Sequence, residues 1–470
     1  MDKPIRRLFW LFVLLFVALV VQLTYVQVFD ASDLKAKPTN TRAVEQEMKV
    51  ERGVIVSADG VELAVNREEG QYYLREYPQR GLTSPWLGYN SLRYGRAGVE
   101  RVYNEELSGK SGLLGITGYW DELIGKTHRG ADLKLTVNVA LQKVAAEALG
   151  ERKGAVVALD PRTGAVLAMV SYPRYDPNGL IDSNTMGTVW SEINSDPDAP
   201  LLNRAAQGRF PPGSVFKTVV AAAALDTGVV TPDSRFVDTG SVTAGGFVVD
   251  NYGDSVYGEH DFTKAFASSI NTTFAKVGVE LGADALAKYA ADFGFGKDSP
   301  WPLGGATSVF PDAGGMDKAH TAQASYGQGQ VLASPLQIAL AVAAVANQGR
   351  VMKPYVVAQV LDYHKKVLDE TDPSVWLQPI SSRTADTLKD LMVEAVANGT
   401  GTRAALSGVQ VAGKTGTAEV ADGEPHAWFA GFAPAQDPQV VVAVLVENAG
   451  AGGSVAAPIA RQVISAALGL

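Results

Sequence analysis

Three small groups of side chains in this sequence have the types and spacing that chemistry requires. The first is Ser214 and Lys217, within Arg209-Phe210-Pro211-Pro212-Gly213-Ser214-Val215-Phe216-Lys217-Thr218. A serine hydroxyl is a poor nucleophile until a base removes its proton. A lysine one helical turn away can serve, provided burial or a neighbouring cation keeps it neutral. Backbone N–H groups at a helix start favour developing negative charge. Alone the spacing is weak, because a solvent lysine after a capping serine reads the same way. The second group is Ser269 and Asn271. Ser269 can relay a proton and Asn271 can hold a substrate amide, although a helix cap has the same composition. The third is Lys414-Thr415-Gly416-Thr417. On a strand, Thr415 and Thr417 point the same way. Gly416 leaves room for a substrate backbone, and Lys414 adds a positive charge that suits a terminal carboxylate. Lys414 can also depress the pKa of Lys217 across a cleft.

These groups need a scaffold. Pro211, Pro212 and Gly213 break whatever precedes Ser214, and the alanine-rich run Val219 to Leu225 predicts a helix. A helix is predicted from Val139 to Leu149, stopped by Gly150. Near-continuous apolar runs at 155–159 and 165–170 flank the turn Asp160-Pro161-Arg162-Thr163-Gly164 and predict a hairpin covered on both faces. Residues 214–349 read as mostly helical with loops, including a helix capped by Ser334, opened by Pro335 and stopped by Gly349. The Lys414 stretch, 427–432 and 440–446 predict antiparallel strands, and 457–468 a closing helix. Two strands, a helical insert, three strands and a helix describe one mixed domain whose sheet is split in sequence.

Upstream, Val50–Val56 and Val61–Val65 predict a hairpin around Ser57-Ala58-Asp59-Gly60. A short helical pattern follows Gly95 and ends near Gly109. No nucleophile and base come together here, so the region reads as a spacer or docking module. Leu8 to Val28 carries no charge, with Lys3, Arg6 and Arg7 before it and Asp30 and Asp33 after it. That length spans a bilayer, and the basic flank places the N-terminus in the cytoplasm. An uncleaved anchor is favoured over a signal peptide because the run is long and no small-x-small site follows. The expected division is a cytoplasmic tail at 1–7, a transmembrane anchor at 8–28, a spacer at 29–130 and a catalytic domain at 131–470.

The 470 residues are 46% hydrophobic, ample for more than one core, and the net charge of −9 gives no electrostatic case for nucleic acid. The absence of cysteine excludes disulfides and thiolate chemistry. His128, His260, His320, His364 and His426 have no metal-ligand spacing.

The order S-x-x-K, S-x-N, K-T-G is far more specific than its parts. It resembles the signature of penicillin-recognising serine enzymes, and Ile270, in place of aspartate, makes it more similar to a penicillin-binding protein than to a class A β-lactamase. Further stretches resemble class B penicillin-binding proteins: Leu135-Thr136-Val137-Asn138, Leu202-Asn203-Arg204-Ala205, Tyr326-Gly327-Gln328-Gly329 with Ser334-Pro335-Leu336-Gln337, and Trp428-Phe429-Ala430-Gly431. So do Arg52-Gly53, Asp59-Gly60 and Gly98-Val99-Glu100, and the small spacer is similar to the actinobacterial PbpA type.

The resemblance implies an α+β chain: a transmembrane helix, a small β-rich pedestal, and a transpeptidase domain with a five-stranded antiparallel sheet flanked by helices plus an all-helical subdomain. It implies a peptidoglycan D,D-transpeptidase. Ser214 would attack the carbonyl between two terminal D-alanines, Lys217 would be the base and Ser269 would pass the proton to the leaving D-alanine. Asn271 would orient the donor, and Lys414, Thr415 and Thr417 would bind its carboxylate. Backbone N–H groups of Ser214 and Thr417 would form the oxyanion hole. β-Lactams would trap Ser214, no metal or organic cofactor is implied, and the expected membrane partner is a SEDS-family glycan polymerase. Two other readings are a D,D-carboxypeptidase or β-lactamase, and a non-catalytic sensor or scaffold. Glu419 lies on no recognised deacylation motif, and Ser214, Lys217 and Lys414 are all present.

Overall fold

The computed structural model describes residues 3–28, 48–111 and 129–470, so Asp30, Asp33 and His128 lie outside it. Helix α1 (Lys3–Val28) contains a segment, 3–25, of mean hydropathy 2.4 with none of it buried.

Five strands form the central sheet: β1 (Gly154–Leu159), β2 (Val166–Tyr172), β3 (Ala412–Ala418), β4 (His426–Ala433) and β5 (Val440–Val446). Their spatial order is β3-β4-β5-β1-β2, all antiparallel. Every residue of β5 is buried, and its alternate side chains enter two different cores. Val441, Ala443 and Leu445 join the core that contains α6 (Pro335–Ala346), and Val440, Val442, Val444 and Val446 the other. Helices α2 (Val139–Leu149) and α8 (Ala456–Ala467) cover the second face. Strands apolar on both faces require this two-sided cover. The predicted stops and starts are realised. Asn138 accepts a hydrogen bond from Leu141 N at 2.9 Å, Gly150 ends α2 with φ +65°, and Ser334 accepts from Gln337 N at 3.1 Å.

The segment between β2 and β3 holds α3 (Lys217–Asp226), α4 (Phe262–Ala267), α5 (Asn271–Leu281), α6 and α7 (Ser382–Ala397). It also carries two ribbons that the helical reading did not contain, Arg235–Asp238 with Gly258–Asp261 and Ser241–Ala244 with Phe247–Asp250. These strands are four residues long and largely exposed, so no apolar period marks them.

The predicted upstream hairpin forms, but its first strand shrinks to Ile55–Val56, paired with Glu62–Glu69. Arg52, expected in that strand, turns inward instead. Its Nε donates to Glu100 Oε2 at 2.7 Å, while Arg75 Nε donates to Glu100 Oε1 at 2.5 Å. Burial pushes the Glu100 carboxyl up, but Arg75 and Arg52 outweigh it and hold it at about 2. The sheet around this cluster has six strands, three of them from beyond residue 131: Asp132–Leu135, Val357–Leu361 and Val367–Glu370. The upstream hairpin is therefore joined to strands from beyond residue 131 through a shared sheet.

Candidate active site

Ser214 lies in a single 3-10 turn, Gly213–Phe216, that runs directly into α3. Gly213 has φ +52°, and a Cβ there would sit 2.7 Å from Thr417 O. Only glycine fits, because the turn presses on the end of β3. Trp428 Nε1 donates to Pro211 O at 2.9 Å and ties the same loop to β4. Gly416 serves this packing too: a Cβ on it would meet Pro212 O at 2.9 Å and Val215 Cγ1 at 3.0 Å. The room expected there for a substrate backbone is filled by the Ser214 turn.

Lys217 is fully buried. Its Nζ donates to Ser269 O at 2.8 Å and to Asn271 Oδ1 at 2.7 Å, and lies 3.2 Å from Ser269 Oγ. The Asn271 orientation is fixed by its other end, where Nδ2 donates to Asp250 O at 3.0 Å. Ser269 adopts φ +59°, a left-handed conformation costing on the order of 1–3 kcal/mol for a residue with a side chain. That conformation turns the chain from α4 into α5 and aims both the Ser269 carbonyl and its hydroxyl at Lys217. Asp238 anchors the start of α5, accepting from Thr272 Oγ1 at 2.7 Å and from Asn251 Nδ2 at 2.9 Å.

Two expectations are corrected here. Among the described residues Ser214 Oγ makes no hydrogen bond; the Lys217 amine is drawn to residues 269–271 rather than to the hydroxyl one turn away. Lys414 does not stand beside the threonine hydroxyls. Strand alternation puts Lys414 and Gly416 on one face and Thr415 and Thr417 on the other. Lys414 is fully buried, with Nζ donating to Thr415 O at 3.1 Å and lying 5.7 Å from the Phe266 ring centroid. Burial lowers its amine to about 7. Burial, and then the charge of Lys414, hold Lys217 well below the ordinary lysine range. The expected coupling between the two lysines is therefore present, beneath the cleft rather than across it.

The cleft above them has a volume of about 640 Å³ and brings together Ser214, Ser269, Asn271, Thr415 and Thr417. Thr415 Oγ1 pairs with Thr400 Oγ1 at 2.5 Å, and Thr417 Oγ1 accepts from Gly452 N at 3.4 Å. Thr400 and Arg403 also line it and were missed from sequence; the only signal was the turn-like Gly399-Thr400-Gly401-Thr402. Tyr326, within the Tyr-Gly-Gln-Gly stretch, lines it as well. Burial, then the charges of Glu419 and Asp250, push its phenol up to about 12.

The family model of the penicillin binding protein transpeptidase domain matches residues 154–465. The chain belongs to this family. A second family model, the penicillin binding protein A dimerisation domain, matches residues 52–133 of this penicillin-binding protein. The peptidoglycan D,D-transpeptidase PbpA of Mycolicibacterium smegmatis is 38% identical over 100% of this chain and 99% of its own length. That of Mycobacterium tuberculosis is 37% identical over the same shares. Among solved structures, penicillin-binding protein A from M. tuberculosis as its ceftriaxone acyl-enzyme complex matches with a TM-score of 0.86 at 36% identity, covering 90% of this chain and 99% of that one. Its imipenem acyl-enzyme complex matches with a TM-score of 0.85.

Proposed function

We propose that this penicillin-binding protein is a membrane-anchored peptidoglycan D,D-transpeptidase working through an acyl-enzyme on Ser214. The observation that carries the reading is the pairing of an unengaged hydroxyl in an open cleft with a buried lysine whose proton is weakly held. A neutral amine has two N–H groups and one lone pair. The carbonyl of Ser269 and Oδ1 of Asn271 can only accept, so they use both N–H groups. The lone pair is left for a hydroxyl, Ser269 Oγ in this structure and Ser214 Oγ once a donor peptide is bound.

In the forward reaction the Ser214 proton passes to Lys217 as Oγ bonds to the carbonyl carbon between the terminal D-alanines. The oxyanion is met by the backbone N–H groups of Ser214 and Thr417. The C–N bond breaks and the proton leaves through Ser269 on the departing D-alanine. An amine from a second stem peptide then attacks the ester, forms the cross-link and returns the proton to Ser214. A β-lactam follows the first half, but its amine stays tethered after the ring C–N bond opens, so the ester persists. Mass spectrometry after penicillin treatment, with peptide mapping, tests this. One penicilloyl group per chain on Ser214, lost in Ser214→Ala, is expected; full labelling of the alanine variant would overturn it.

The division into a tail at 1–7, an anchor at 8–28, a pedestal at 29–130 and a transpeptidase domain at 131–470 is part of the proposal. The basic residues at the start of α1, Lys3, Arg6 and Arg7, support a cytoplasmic N-terminus and an extracytoplasmic catalytic domain. Protease added to intact spheroplasts should digest that domain, and full protection would contradict the orientation. The cross-linker needs nascent glycan, which supports pairing with a SEDS-family polymerase through α1 and the pedestal. Within α1, Thr24 Oγ1 donates back to Val20 O at 2.8 Å, leaving exposed Gln22 as the better interhelical donor. Replacing Leu8–Val28 with an unrelated span should keep penicillin binding and abolish co-purification with the polymerase. Undiminished co-purification would remove the helix from the contact.

A further inference from the structure

The reading above leaves the donor carboxylate without a cation. Lys414, expected to supply it, is sealed on the inner face of β3, and Lys217 lies in the same buried layer. The charged residues lining the cleft are Asp250, Asp254, Glu419 and Arg403. A peptide ending in a carboxylate thus enters a cleft that is acidic except at one point.

Arg403 stands on the turn Thr402–Ala404 that follows α7. Its side chain is exposed, and its Nη1 makes only a long hydrogen bond to Ser454 O at 3.4 Å. The loop carrying Ser454 is packed against the hydroxyl row. Gly452 N donates to Thr417 Oγ1 at 3.4 Å, and a Cβ on Gly453 would lie 2.5 Å from Thr400 O and 3.8 Å from Thr415 Cγ2. The guanidinium and the hydroxyls of Thr400, Thr415 and Thr417 therefore ring one end of the cleft. A planar guanidinium beside hydroxyl donors is a carboxylate receptor.

We propose that Arg403 binds the terminal carboxylate of the donor peptide, and the equivalent carboxylate of β-lactams, together with the hydroxyls of Thr415 and Thr417. This rests on the transpeptidase reading and adds its anion-recognising residue. Arg403 gives up its long bond to Ser454 O and turns to the incoming anion. Because the site is open to water, its preference for the acid weakens with added salt.

The test compares rates of Ser214 acylation by benzylpenicillin and by its carboxylate methyl ester, in the wild type, Arg403→Gln and Arg403→Lys. In the wild type the acid should react faster than the ester. In Arg403→Gln the acid-to-ester ratio should fall about 10-fold, the scale of one charge-assisted hydrogen bond, and Arg403→Lys should restore part of it. A purely structural role would slow both compounds alike and leave the ratio unchanged, which would overturn the inference. If the wild type carries no label on Ser214 with either compound, the transpeptidase reading fails and this inference falls with it. Normal Ser214 labelling with an unaltered ratio removes Arg403 alone.

Discussion

Arg52 and Arg75 in the pedestal and Lys217 and Lys414 beneath the cleft are each less than one-tenth exposed. Both pairs place two basic side chains inside the protein, where an isolated charge is costly. The arginines close on the carboxylate of Glu100, which bonds to both. Among the described residues the lysines have no ion pair at all. Their acceptors are neutral: Ser269 O, Asn271 Oδ1 and Thr415 O. The residue types match these settings, since arginine keeps its proton and lysine surrenders it when buried. A buried carboxylate makes a charge permanent and structural. Its absence makes the proton mobile, and a mobile proton is what the proposed acyl transfer at Ser214 requires. The two regions differ in the basic residue type and in Glu100, and removing Glu100 or altering either lysine breaks the contrast in a measurable way.

The largest effect is expected from Lys217→Arg. The variant retains a cation but loses the base, so penicillin acylation should slow by about 10³-fold or more, measured with a fluorescent penicillin, whereas Arg52→Lys should acylate normally. Glu100→Gln comes next. It leaves two arginines buried without a counter-charge and should destabilise the protein by roughly 3–5 kcal/mol, seen as a lower melting temperature, with folded molecules still acylating.

A pH series sharpens the same point. The Glu100 carboxyl sits at about 2 against an ordinary 4.5. Its contribution, on the order of 3 kcal/mol, is present above pH 4.5 and is lost as pH falls from there toward 2. For Lys414 the sign reverses. Its amine is lowered from 10.5 to about 7, so the unfolded chain binds the proton more tightly. Stability therefore falls as pH drops from 10.5 to about 7. Lys414→Met should remove that penalty, raising stability by on the order of 4 kcal/mol at pH 7 and by about 1 kcal/mol at pH 10, while acylation weakens. A stabilisation independent of pH would mean that Lys414 is not the source.

Much of this was legible from sequence because it is local. Near-continuous apolar runs marked the strands of the central sheet, Gly150 and Ser334 marked helix ends, and motif order marked Ser214, Lys217, Ser269 and Asn271. Strand alternation already implied that Lys414 could not share a face with Thr415 and Thr417; the electrostatic appeal of a cation near a carboxylate obscured it. The left-handed Ser269 had no signal, because nothing in Ser268-Ser269-Ile270 demands that conformation until Lys217 is packed beneath it. Arg403 was invisible for a similar reason, since its place in the cleft depends on the loop at Gly452–Ser454. The pedestal sheet was the least legible part, as it pairs Leu133 with Val360, strands far apart in the chain.

The claim that Lys217 acts as a neutral base is tested most directly by the pH dependence of Ser214 acylation, measured as the second-order rate with benzylpenicillin. Protonation of Lys217 removes the base, so the rate should fall on the acid side with an apparent pKa well below 10.5, leaving acylation near its plateau well below pH 10. That limb should be absent from the residual reaction of Lys217→Arg. A limb at the ordinary lysine value of about 10.4, or a profile unchanged in Lys217→Arg, would contradict the account.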